Sequence, residues 1–278
     1  MPVVAITHEM GSLAKDVALQ LAQSSSLAVM RHEVLEHVAG KMHVPSSLIS
    51  RLREGKAGLV ERFTTDHERV AVYTAQELFT LAEKGNVVLR GWGATCLLRP
   101  VQHVVTVRVT GPFKKRVEWL MGNLETDDVA FAEAEVRRSD DAHATKMHDQ
   151  FGVTWGDPLL YDLVLNTDRI SVESCVAQIQ QLAGRPEFQE TAESRAMLAD
   201  LALNARIRAA LKDHDATRNI KIHIESRSGR VMLRGIVLNV QESAEVARIV
   251  STVAGVSSVD NQLGLMARSR LYASTTGI

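Results

Sequence analysis

Four consecutive apolar residues, Val3-Val4-Ala5-Ile6, lead through Thr7-His8-Glu9-Met10-Gly11-Ser12 into a segment with helical periodicity. There Ala14, Val17, Ala18, Leu21 and Ala22 recur at three- and four-residue spacing, one apolar face of a helix starting near Leu13. A short apolar run without polar alternation reads as a strand covered on both faces, the habit of parallel sheets. The pattern repeats: residues 27–30, 86–89, 104–109 and 162–165 read as strands, the last as a central one. Helical stretches at 33–41, 66–83, 112–121, 128–150 and 171–182 separate them, with Gly85 as a left-handed cap and Pro112 in a first turn. Pro45-Ser46-Ser47 caps a further helix, and residues 50–63, rich in charge and glycine, read as a mobile insert or arm. No hairpin signal joins the strands, so the expectation is an α/β fold: a parallel sheet with helices on both faces.

Residues 184–194 are polar and read as a linker, and the pattern changes beyond them. A helix over 194–212 precedes alternating strands at 221–226 and 230–237, turned at Ser228-Gly229. A helix over 241–253 and a strand over 259–266 complete a small α+β unit. The expected domains are therefore 1–183 and 195–268, with a C-terminal tail at 269–278.

Composition narrows the partners. A net charge of −1 gives no general pull toward nucleic acid, and none is expected as a partner. Cys96 and Cys175 stand far apart in apolar contexts and read as reduced core residues. No apolar run approaches the roughly 20 residues of a spanning helix, and the N-terminus lacks the basic-then-apolar pattern of a secretory signal; a cytoplasmic protein is expected. His32/His37 and His143/His148 are spaced by five, which is wrong for two ligands on one helix face. These histidines read as surface or capping residues, and no metal site is expected.

A strand that feeds a turn and then a helix gathers backbone N–H groups and the positive helix end at one point, which suits a phosphate. A working phosphate loop adds glycines and a Lys-Ser/Thr pair. Here Gly11 is the one glycine of the turn, the Lys-Ser/Thr pair is missing, and Lys15-Asp16 stands nearby.

Several stretches carry a family resemblance: 6–12, Val87-Val88-Leu89-Arg90-Gly91-Trp92-Gly93-Ala94, Glu135-Val136-Arg137-Arg138-Ser139-Asp140-Asp141, and 155–167 with its Trp155-Gly156-Asp157-Pro158 turn. Over about residues 1–183 the chain resembles the cytidylate-kinase-like family, relatives of the nucleoside monophosphate kinases with a P-loop kinase-like sheet. Residues 229–237 and 253–263 resemble a BON domain, which implies docking to a membrane surface or a protein partner. The resemblance implies phosphate binding by Gly11, Ser12, Lys15 and Arg116, catalytic roles for Lys15 and Asp140, and an acceptor cleft at Arg90, Trp92 and His143. ATP and magnesium are implied if the kinase reading holds. A homo-oligomer is also expected.

Three departures weigh against transfer. Ala14 stands where active relatives have a phosphate lysine, Trp92 where they have an arginine between two glycines, and His143 where the lid helix has an arginine. Lys15 lies one residue on, a rotation of about 100° around the helix, so it either reaches a phosphate or is a solvated helix-start lysine. Arg116 suits a phosphate contact or a surface ion pair equally. Trp92 suits cleft filling better than base stacking, since an indole cannot replace a guanidinium on phosphate. The sequence therefore predicts a nucleotide-binding or regulatory module with weak or no phosphoryl transfer. The alternatives are a divergent monophosphate kinase with Lys15, Arg90 and Arg116 as its cations, or an oligomeric scaffold with a vestigial cleft. The impaired-catalyst reading requires that no other arginines or lysines converge on the hollow.

Overall fold

The structure, a computed structural model, describes residues 2–30, 32–91 and 93–266, with only the backbone of His32 and Arg62. Trp92 and the 269–278 tail lie outside the described residues. The chain divides after Leu198 into two compact units.

The first unit runs β1 (Val3–His8), α1 (Ala14–Ser25), β2 (Ala28–Met30), α2 (His32–Met42), α3 (Ser46–Arg53), α4 (Leu59–Thr64), α5 (His67–Lys84) and β3 (Val87–Arg90). It continues with α6 (Ala94–Leu97), β4 (Val104–Thr110), α7 (Phe113–Leu124), α8 (Val129–Phe151), β5 (Leu163–Asn166) and α9 (Val172–Ala183). The five strands are all parallel in the order β2-β3-β1-β4-β5, so the first strand of the chain is the middle of the sheet. Val4, Ile6, Val88, Val105, Val107 and Val109 pack with Val17, Leu21, Cys175 and Ile179 of α1 and α9. The alternate residues Val3, Ala5, Leu89 and Val104 are buried as well, with α5 and α6 against β3 and β1. Both faces of the inner strands are thus covered, which is why their sequence shows no polar alternation.

Five local expectations need correction. The strand at 163–166 is an edge and not a central strand; of its residues only Leu165 is buried, and Val164 is exposed. Residues 50–63 are not a structureless arm, because they hold the end of α3 and most of α4. An Arg51–Glu61 ion pair holds α4 to α3, and the same Glu61 carboxylate caps α4 by accepting from the Gly58 amide at 3.0 Å. Gly85 does end α5 with a positive φ of 67°, but its ψ of −173° is extended and outside the left-handed helical well. Pro112 is the N-cap residue of α7, one position before the first turn. Cys96 is half-buried, whereas Cys175 is buried.

Within 184–194 a short 3₁₀ turn, Pro186–Phe188, sets Phe188 against the core of the first unit. Helix α10 (Ala192–Asp213) contains the unit boundary. The second unit adds β6 (His223–Arg227), β7 (Arg230–Val237), α11 (Val240–Ser251) and β8 (Ser258–Leu265), in the sheet order β6-β7-β8. Ser228 and Gly229 both take positive φ, the geometry a two-residue hairpin turn needs to match strand twist. A side chain at 229 would also meet the Gly255 carbonyl at 2.8 Å. Leu203, Ile207, Ile224, Val231, Leu233, Val246 and Ile249 form the core, while Arg227, Arg230 and Arg234 are exposed. Among the described residues no helix is long and apolar enough to cross a membrane.

Candidate functional site

The loop after β1 turns into α1 through two residues of positive φ. Gly11 has φ 79°, and Leu13, the N-cap of α1, has φ 58° and ψ 14°. A leucine held left-handed there costs about 1–2 kcal/mol that glycine would not. Gly11 lies hard against α7: a Cβ there would stand 2.9 Å from the Arg116 carbonyl oxygen. The Ser12 hydroxyl donates to the Glu9 carbonyl at 2.8 Å and the side chain is buried. Ala14 is buried, and Lys15 and Asp16 are exposed on the first turn of α1.

Two buried arginines reach this loop, and both are held by carboxylates. Arg108, on β4, donates to Glu9 Oε1 at 2.7 Å, with side-chain exposures of only 7% and 15%. The Glu9 Oε2 atom accepts from the Thr110 hydroxyl and from the Gly111 amide at 3.3 Å. Arg116 grips Asp140 through two bonds of 3.0 and 2.8 Å, and donates to the Gly111 and Met10 carbonyls at 3.1 and 3.3 Å. Arg116 is therefore not a surface residue; it fastens α7, α8 and the loop together. A bidentate guanidinium–carboxylate pair of this kind is geometrically demanding and strong.

Arg108 also lies 4.3 Å over the Trp155 ring and donates to the Trp155 carbonyl at 3.1 Å. The Trp155 indole donates to Thr7 at 3.0 Å, and His143 stacks on it at 5.2 Å. His143 is thus half-buried and is not a surface or capping histidine. Its Nδ1 lies 2.9 Å from the Ser139 carbonyl, and burial is the main force pushing its pKa down. The Tyr161 hydroxyl donates to the Trp155 carbonyl at 2.7 Å, and burial pushes it up to about 12.

Beside this network lies a cavity of about 960 Å³ between α3, α5 and α8. Positions 134, 138, 141, 142, 145, 146 and 149 of α8 line it because three- and four-residue steps share a helix face. Arg53, Arg137, Arg138 and Lys146 line it together with Glu68, Asp141 and Asp149, and no residue of the loop 9–16 does, so these cations stand at this cavity and not at the loop. The Arg53 guanidinium crosses Gly91 so closely that it leaves no room for a Cβ there. Arg90 is buried at the end of β3. Among the described residues no group of His, Cys, Asp or Glu could hold a metal.

The cytidylate kinase-like family matches residues 3–169. The chain belongs to the cytidylate kinase-like family. A BON domain follows at residues 199–265. An uncharacterised protein from Eubacterium ventriosum superposes with a TM-score of 0.53 at 18% identity, over 66% of this chain and all of that one. That likeness shows the fold of the kinase-like unit. Shikimate kinases from Bacteroides thetaiotaomicron (TM-score 0.41, 15% identity, 65% of this chain and 97% of that one) and Acinetobacter baumannii (0.41, 13%, 66% and 92%) are more distant. Among curated proteins none matches the chain.

Sequence reasoning in this cytidylate kinase-like chain missed Glu9, Arg108, Arg53 and Lys146. Arg108 had a legible signal: an arginine inside the otherwise apolar Val104-Val105-Thr106-Val107-Arg108-Val109 strand needs a buried partner. Arg53 and Lys146 had none, because 93 residues separate them and only the docking of α3 near α8 makes them neighbours.

Proposed function

We propose that the kinase-like unit is a nucleotide-binding or regulatory module with weak or no phosphoryl transfer. Its BON domain docks the chain to a membrane surface or a protein partner, and the protein works in the cytoplasm as a homo-oligomer. The observation that carries this reading is the commitment of the loop arginines. Phosphoryl transfer depends on positioned cations that neutralise the migrating group. Arg108 and Arg116 are already neutralised by Glu9 and Asp140, and Lys15 is exposed and joins none of these contacts. The Lys-Ser/Thr pair that would bring a hydroxyl to magnesium is missing, with Ala14 and Lys15 in its place. The residues present therefore do not make a magnesium site, and no step is assigned through that ion or ATP.

A second reading, a divergent nucleoside monophosphate kinase, draws support from Arg53 and Lys146 at the cavity. Incubation of the pure chain with ATP, CMP and magnesium separates the two. The binding-module reading expects saturable nucleotide binding without stoichiometric ADP and CDP. Catalytic ADP and CDP formation that disappears in Lys15→Ala would overturn it. Absence of any nucleotide-induced thermal shift would favour a scaffold with a vestigial cleft, since binding at 100 times Kd stabilises by about 2.7 kcal/mol.

A further inference from the structure

Apolar side chains scattered over a surface need no explanation, but clustered ones mark a contact. In the second unit every exposed large apolar side chain among the described residues lies at one end of the sheet. They are Ile236, Leu238, Val240, Leu265 and Met266, between 50% and 66% exposed. The strand register explains the grouping. Val237 pairs with Leu265, and the Met266 amide donates to the Val237 carbonyl at 2.8 Å. Val231, Leu233 and Val237 of β7 face the core, so Ile236 projects from the opposite face. Its partner in β8 is Gly264, which has no side chain to cover it.

The turn that carries Leu238 and Val240 is held in place. Asn239 caps α11 by accepting from the Glu242 amide at 2.8 Å, and the Glu242 carboxylate in return accepts from the Leu238 amide at 2.8 Å. Groups already fixed lose little freedom when they meet a partner. Charge selects the occupant. Glu242 is an anion at the patch itself, and Arg234 stands two residues before Ile236 on the same strand face. Arg234 donates from Nε to Gln262 at 3.1 Å, and its Nη groups make no hydrogen bond or ion pair among the described residues. Arg227 and Arg230 pair beside the hairpin turn, and Arg230 is six residues, about 20 Å, along β7 from Ile236. An anionic lipid surface requires cations around the apolar tip, whereas here one rim cation is matched by one rim anion. That balance suits a surface of the same composition.

We infer that the ends of β7 and β8, with the turn into α11, form a contact between two copies of this chain. The apolar cluster is its centre and Arg234 and Glu242 are its rim. Across a two-fold axis the same patch meets itself, so Arg234 of each copy faces the partner's Glu242. This rests on the reading that the protein is a homo-oligomer, and adds which surface joins the copies. Five side chains and two charges make a small interface beside the roughly 800 Å² per partner of a standard one, so the dimer dissociates on dilution.

The test is sedimentation velocity of the full chain over a concentration series, with circular dichroism of each variant. Wild type should show a monomer–dimer equilibrium. Leu238→Asp and, separately, Ile236→Lys should raise the dissociation constant by about tenfold or more, with unchanged circular dichroism because both side chains are exposed. Arg234→Glu and Glu242→Arg should each weaken the dimer, and the two together should restore it, since the exchanged charges again face each other. Loss of the Glu242–Leu238 bond alone would not be repaired by the second change, so failure of the paired exchange overturns the rim. A wild-type dimer that survives both Leu238→Asp and Ile236→Lys would overturn this surface and leave the homo-oligomer reading standing. A wild type that stays monomeric at its highest soluble concentration would sink both. Co-sedimentation with phosphatidylglycerol vesicles covers the other occupant: a monomeric chain that binds them, and loses them in Leu238→Asp, would show a lipid contact in place of a second copy.

Discussion

Replacing Glu9 by Gln tests the buried network that occupies the loop. The carboxylate meets Arg108 at 2.7 Å with both side chains largely out of water, and it also accepts from Thr110 and Gly111. Removing one partner of a buried ion pair costs about 3–5 kcal/mol, because the other charge is left uncompensated. Glutamine keeps the volume and one acceptor oxygen, but turns a donor toward groups that themselves donate. A loss of about 3 kcal/mol follows from the lower end of that range. For a unit of this size it amounts to roughly 6–12 °C in melting temperature. All three tryptophans, Trp92, Trp119 and Trp155, belong to the first unit, so tryptophan fluorescence in urea reads its unfolding separately from the BON domain. A loss under about 1 kcal/mol, the range of exposed pairs, would refute the view that the loop arginines are committed to internal partners.

Acidification should weaken the first unit between pH 7 and 5.5. His143 and His103 have folded pKa values pushed below the ordinary 6.5, chiefly by burial, so the unfolded chain binds more protons in that window and stability falls as pH falls. Urea midpoints that stay flat or rise on acidification would contradict this, and His143→Phe should flatten part of the slope. Gly11→Ala combines a positive φ with a Cβ 2.9 Å from the Arg116 carbonyl oxygen, so it must push α7 off the loop. A cost of about 2 kcal/mol or more is expected from the strained backbone and the lost packing. Wild-type urea stability in that variant would show that the loop yields freely.

Much of the fold was legible because burial on both faces writes itself as unbroken apolar runs. Val3-Val4-Ala5-Ile6 and Val87-Val88-Leu89 could belong only to inner strands, and the helix faces followed from spacing. The edge position of Leu163–Asn166 was less legible, since its three apolar residues, Leu163, Val164 and Leu165, resemble an inner strand until its neighbours are known. Residues 50–63 misled for a related reason: charge and glycine are as common in a short docked helix pair as in an arm. In the site, the sequence drew attention to Arg116 and His143. The carboxylate partners of Arg108 and Arg116 could not be read from it, and neither could the stacking of His143 on Trp155.

The order and type of elements were settled by local periodicity, because 3.6-residue and unbroken apolar patterns each bury one kind of surface. Which charges neutralise one another was settled only when the chain closed. Glu9 and Arg108 are 99 residues apart and Arg53 and Lys146 are 93 apart, yet one pair attracts and the other repels. Electrostatic energy depends on distance in space and on exclusion of water, and neither is written in the order of residues along the chain.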